Sequence, residues 1–243
     1  MKTRLLSALG LIMVFFMTSC SFSENITINE NGSGRVSFDI DGSGIMAMAG
    51  EEIAKEGKQE RIDSTFTFKE LLAEKRDSIA KLPKEEQERL KSLEKFTVKM
   101  LMDSEKGEML MNMFADFNKA SELQDVMKTF GNLSSMKKQQ GQPDLGMLQN
   151  DSEVTYAYDG KKFSRKVKLL DNAKKKESGE DEDMYQALFG ASTYELKYTF
   201  PKKIKKVSNK SAVISADGKT VTISYSLADF FDNPKAMALD VEF

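Results

Sequence analysis

Strict alternation of apolar and polar side chains is the feature that most limits what this chain can become. Ile26 and Ile28 alternate with polar neighbours, "NENGSG" follows, and Val36, Phe38 and Ile40 resume the pattern. Successive strand side chains point to opposite faces, so each run specifies a strand with one buried face, and the Gly-rich string between them predicts a hairpin. The same period returns in "FTVKMLMDSEKGEMLMNMFADF", in "EVTYAYDGKKFSRKVKLL" with its turn at Asp159 and Gly160, in "YELKYTF", in "SAVISADGKTVTISYSL" and in the closing "MALDVEF". Roughly ten strand candidates, most with one polar face, are what an antiparallel sheet covered on one side requires.

Helical spacing interrupts this pattern instead of following every strand. A short helix is expected in "GSGIMAMAGEEIAKEG", with Ser43 as its cap. A stronger one is expected in "STFTFKELLAEKRDSIAKL", where Thr67 and Glu70 have capping-box spacing and Phe68, Leu71, Leu72, Ile79 and Leu82 line one face. Pro83 then opens "KEEQERLKSLEK", which has only Leu90 and Leu93 to bury. Residues 64–95 thus read as a charged, projecting helical insertion. "SELQDVMKTF" puts Leu123, Val126, Met127 and Phe130 on one helical face with Gly131 as the stop, and "LADFF" reads as a short helix. Residues 131–150 and "DNAKKKESGEDED" read as connecting loops. The fold class expected is α+β: a largely antiparallel sheet with helices on one face and the helical insertion, in a single domain over 20–243.

The chain opens with Lys2 and Arg4, runs apolar from Leu5 to Met17, and ends this stretch at Thr18, Ser19 and Cys20, its one cysteine. The apolar run of about 13 residues falls short of the roughly 20 that cross a bilayer core, so it reads as a signal peptide over 1–19. "MTSC" resembles the lipobox of bacterial lipoproteins, with Met17 where Leu is usual. That resemblance implies a diacylglyceryl thioether on Cys20, cleavage before it, and acylation of the new amine. Two or more acyl chains anchor stably where one binds only marginally. Ser21 carries no acidic retention signal, which favours the outer membrane if the cell is Gram-negative.

Beyond that motif, "ITINENGSGRVSFDIDGSG" and, near the end, "YELKYTFPKKIKKVSN" with "DGKTVTISYSL" resemble the LppM-like family of bacterial lipoproteins. Those proteins begin with a hairpin carrying an Asx-Gly-Ser-Gly turn and close on a strand with a Pro at its end. The resemblance implies an envelope lipoprotein, and a glycolipid-binding role has been suggested for the founding type. The C-terminal membrane segment usual in the family has no counterpart here.

Composition removes several chemistries. There is no histidine, so Ser-His-Asp and Cys-His nucleophile systems are excluded, and with Cys20 acylated no thiol is left for catalysis or zinc. A net charge of −2 and pI of about 5.6 offer no positive excess for nucleic acid.

The remaining motifs are each weighed against a plain structural role. Asp39, Asp41, Ser43 and Gly44 fall at EF-hand spacings, but Gly50 stands where the bidentate Glu belongs, with Glu51 one place late, so turn chemistry is expected. Met100, Met102, Met109, Met111 and Met113 alternate on two strands and would share a face, as core or as an apolar binding wall in preference to a Cu(I) site. The lysines of "KKFSRKVK" and "PKKIKK" would crowd an exposed sheet face. Ser92 with Lys95, and Ser135 with Lys138, match "SxxK" without companion motifs. "DST" at 63–65 and "DSI" at 77–79 resemble O-glycosylation acceptor triplets of some Gram-negative bacteria.

The function expected is a non-catalytic, lipid-anchored envelope lipoprotein, held to the membrane through acylated Cys20, that binds an amphipathic lipid or an envelope protein. It needs no cofactor and no metal. The alternatives are an assembly component docking through the insertion, and a glycan or lipid hydrolase working through paired carboxylates.

Overall fold

The computed structural model describes residues 20–44, 46, 61–134, 152–170 and 190–243. The leader over 1–19, most of the helix read into 42–57, the connection over 135–150 and the charged run over 171–183 lie outside them. Ser43 stands within the helical residues after β2, and its Oγ accepts from the Met109 N–H at 3.2 Å.

Eight strands form the larger sheet. β1 (Ser21–Ile28) and β2 (Gly34–Asp41) make the expected hairpin, with Ile26 opposite Val36. β2 continues to β5 (Glu108–Phe117), β4 (Thr97–Asp103) and, at the edge, β3 (Arg61–Thr67). On its other side β1 runs parallel to β8 (Thr193–Thr199), followed by β11 (Thr220–Ser226) and β10 (Val213–Ile214). Every other strand pair among the described residues is antiparallel. β3 corrects the start of the insertion: Ile62, Ser64 and Phe66 face inward in alternation with Asp63, Thr65 and Thr67. The helices therefore begin at Phe68, not at 64.

The second sheet holds β6 (Ser152–Tyr158), β7 (Lys162–Leu169), β12 (Leu239–Glu242) and β9 (Lys206–Val207). It lies face to face with the first: the Phe163 ring on β7 is 5.3 Å from that of Tyr198 and 5.2 Å from that of Phe200. The α+β class holds, but the larger sheet is covered by a second sheet as well as by helices. The apolar phase of β6, β7 and β12 needs a facing layer of its own, and the first sheet supplies it. Burying a side chain such as Phe163 contributes about 1.5–3 kcal/mol.

Two helices complete the cover. α4 (Leu123–Ser134) buries Leu123 and Val126. It runs through Gly131 instead of stopping there, since a glycine inside a helix costs only about 1 kcal/mol. α5 (Leu227–Asp232) buries Leu227 and stacks Phe230 on Tyr194 at 4.3 Å.

The insertion is three short helices, α1 (Phe68–Glu74), α2 (Arg76–Ile79) and α3 (Lys84–Ser92), the first opened by the expected Thr67–Glu70 capping box. None of them has a fully buried residue: of the apolar face read from the sequence, Phe68 packs on the core, while Leu71 and Leu82 are 39% and 38% exposed, so the fold closes that face only in part. Leu93, fully buried just after α3, and Leu90, packed on the core, moor the group to the body.

Candidate functional site

Cys20 directly precedes β1, in phase with Phe22, Glu24 and Ile26 on the inner face. It is 1% exposed, and its carbonyl accepts from the Thr193 N–H at 3.3 Å. The ladders fix what lies level with it. Ser21 is opposite Asp41, Asp41 opposite Leu110, and Leu110 opposite Leu101. One step outward, at the level of Cys20, is the Met109–Met102 pair, tied to the end of β2 by the Gly42 N–H donating to the Met109 carbonyl at 2.8 Å. One step inward, Phe22, Ile40, Met111 and Met100 stand in a row.

The methionines therefore share the inner face, as their alternation predicts. Met113, farther in, is buried at 2%. Met100, Met102, Met109 and Met111 are half-buried, as are Ile40 and Ile62. The inner face is closed around Phe38, Val98 and Met113 and, on β1, at Phe22 and Cys20; at that same end it is half-open only across the methionines of β4 and β5 with Ile40 and Ile62. Unbranched thioether side chains suit such a surface because they re-pack around apolar partners of different shape.

A second constellation lies wholly inside and escaped the sequence reading. Glu24 of β1 is 0% exposed and accepts from four side chains: Tyr156 Oη (2.6 Å) and Tyr198 Oη (2.5 Å) at Oε1, Tyr194 Oη (3.2 Å) and Arg165 (3.1 Å) at Oε2. Arg165 also donates to the Met237 carbonyl at 3.0 Å. Its Nε is buried with no hydrogen-bond partner among the described residues. Burial by itself raises the Glu24 carboxyl, but the Arg165 charge and the bonds from Arg165, Tyr156 and Tyr198 outweigh it and hold the group below the usual carboxylate value. Burial, reinforced by the Glu24 charge, pushes the three phenols well above 10.0. The readable signal was phase. Glu24 shares the parity of Ile26 and Ile28, and Arg165 that of Phe163 and Val167, so each is a charge in an apolar row.

The other motifs are dispersed. Asp39 lies on extended β2 and accepts from Asn25 at 2.7 Å and from Asn112, while Asp41 accepts from the Ser43 N–H at 3.0 Å; Gly50 and Glu51 lie outside the described residues. Lys162, Lys166 and Lys168 do share the outer face of the second sheet with Lys206. Asp240 and Glu242 interleave there, pairing with Lys162 at 3.2 Å and Lys206 at 3.8 Å. The Ser92 hydroxyl donates to the Arg89 carbonyl, and Ser135 and Lys138 lie outside the described residues. Ser78 is exposed and Ser64 half-buried. Among the described residues no helix is long and apolar enough to cross a membrane, and no group of His, Cys, Asp or Glu is placed to hold a metal ion.

No family model matches the chain, and no curated protein does. Among solved structures, the NMR structure of the folded domain of the LppM protein from Mycobacterium tuberculosis is similar over 96% of this chain and 94% of that chain, with a TM-score of 0.41 and 10% sequence identity. A likeness this distant transfers neither a ligand nor a residue role.

Proposed function

We propose that the protein is a non-catalytic lipoprotein of the bacterial envelope, anchored through acylated Cys20, that takes hydrocarbon from a membrane amphiphile onto its methionine-lined sheet end. The observation that carries this reading is one of level: Cys20 and the half-open surface of Met100, Met102, Met109 and Met111 lie at the same end of the sheet. An anchor on that residue holds this surface against the bilayer with no linker, because β1 begins at Ser21.

Glu24, enclosed and ion-paired, is not available as one acid of a hydrolytic pair, which must flank a substrate about 5–10 Å apart. A second reading, docking of an envelope partner, is favoured by the exposed Leu71 on α1 and Leu82 in the turn before α3.

The test is intact-mass analysis of the full chain expressed in a Gram-negative host, with labelling by a photoactivatable phospholipid in the native membrane. The expected result is a triacylated N-terminal Cys20 and cross-links within the Met100–Met111 peptides. An unmodified thiol, or a mature N-terminus elsewhere, overturns the anchor.

A further inference from the structure

The end of the larger sheet away from Cys20 carries a different feature, separate from the methionine surface. β3 runs from Arg61, opposite Asp103 at the Cys20 end, to Thr67. The ladders set Thr67 level with Thr97, Phe114, Ser37 and Asn25, four positions into β1 from Ser21 and so about 13 Å farther from the anchor. The insertion starts there, beyond the level of the proposed bilayer contact.

Between α1, α2 and α3 lies an open groove of about 520 Å³, within the ~300–1,000 Å³ of small-molecule sites. Leu72, Ala73, Ile79 and Leu90 line it with apolar surface; Leu90 also packs on the core, and none of the four is fully buried. Lys69, Arg76, Lys84 and Lys91 stand around that surface, and none of them forms an ion pair with a described residue. Glu88 and Glu94 are the acids among the lining residues. Four cations against two carboxylates leave an excess of two positive charges here, on a chain whose net charge is −2.

We propose that this groove binds a single-chain anionic amphiphile, a long-chain fatty acid, with its hydrocarbon on Leu72, Ile79 and Leu90 and its carboxylate among the four cations. Charge complementarity selects the anionic head, and the half-buried surface of Leu72, Ile79 and Leu90 selects the tail. The volume matches one small ligand, whereas a specific protein partner would bury about 1,200–2,000 Å² in all. The distance from Cys20 makes the source a free amphiphile in the aqueous space and not a lipid of the anchoring leaflet.

The test uses the full, lipidated chain in phosphatidylcholine nanodiscs, labelled with a diazirine analogue of palmitate and mapped by peptide mass spectrometry. Labelling is expected within residues 69–94, falling about tenfold or more with excess palmitate and little with hexadecanol, which has the same chain without the charge. Replacing Lys69, Arg76, Lys84 and Lys91 together by Gln is expected to lower it at least about fivefold, and Ile79→Asp should act alike. These positions contribute no buried side chain, so thermal unfolding followed by circular dichroism should be unchanged. Labelling confined to Met100–Met111 overturns this site while leaving the anchor-end reading intact. Equal competition by hexadecanol, or protection of 69–94 by polyglutamate but not by palmitate, overturns it as well.

Discussion

Glu24 and Arg165, 141 positions apart in the chain, meet at 3.1 Å between the two sheets, with their side chains 0% and 3% exposed. One belongs to the first strand of the larger sheet and the other to the second sheet, so the pair fixes how the layers sit on each other. Tyr194 and Tyr198 reach the same carboxylate from β8, and Tyr156 from β6, so one acid collects donors from both layers. A buried ion pair is weak evidence of net stabilisation, since desolvation offsets much of the attraction, but losing one partner is severe.

Arg165→Met should therefore lower unfolding free energy by about 3–5 kcal/mol, because Glu24 is left charged without its cation. The double variant Glu24→Gln with Arg165→Met should recover most of that loss. Urea denaturation of the four proteins of this cycle measures the coupling, and a single-variant loss under about 1 kcal/mol would contradict the keystone role.

The same cluster sets opposite pH limbs. Glu24 titrates below its ordinary value of 4.5 when folded, so its contribution is complete above that value and is lost as pH falls through the folded one. Tyr156, Tyr194 and Tyr198 titrate above 10.0 when folded, so stability is complete below that value and lost as pH rises. With three phenols releasing protons only on unfolding, the alkaline slope should approach ~4 kcal/mol per pH unit. Tyr198→Phe should reduce that slope by about a third, read from urea midpoints between pH 9 and 11.

Gly34→Ala should cost about 3 kcal/mol or more. A Cβ built at this position lies 1.9 Å from the Thr27 carbonyl oxygen and 2.5 Å from Cζ of Phe117, and the first of these is backbone that cannot rotate away. Thermal melts of this variant beside Gly32→Ala, whose added Cβ meets nothing within 4 Å but whose φ is 82°, separate crowding from backbone strain.

Met102→Glu should abolish most phospholipid photolabelling of the Met100–Met111 peptides while moving the urea midpoint by about 1 kcal/mol or less, because the site is half-exposed. Undiminished labelling would remove the methionine surface from the proposed function.

Much of this architecture was legible because strands announce themselves by parity and turns by their residues. The β1–β2 and β6–β7 hairpins, the Thr67–Glu70 capping box and the shared face of the β4 and β5 methionines all follow from local chemistry. What escaped depends on distant neighbours. β3 was hidden because "STFTF" sits beside a strong helix start, and only the free edge of β4 makes it a strand. Glu24 and Arg165 each stand in phase with an apolar row, but their pairing depends on two sheets brought together from 141 positions apart. The groove was half legible: the apolar helical stripe was visible, but that the body leaves it partly uncovered was not.

The parallel pairing of β1 with β8 couples Ser21 to Thr193, so the sheet cannot be completed until most of the chain has been synthesised. A ribosome releases the first strand long before its neighbour exists, and in that interval it can hold the hairpin with β2 but not its place in the sheet. Until β8 is made, Tyr194 and Tyr198 are missing from the carboxylate they will serve, so the interior around Glu24 is among the last parts of the molecule to close.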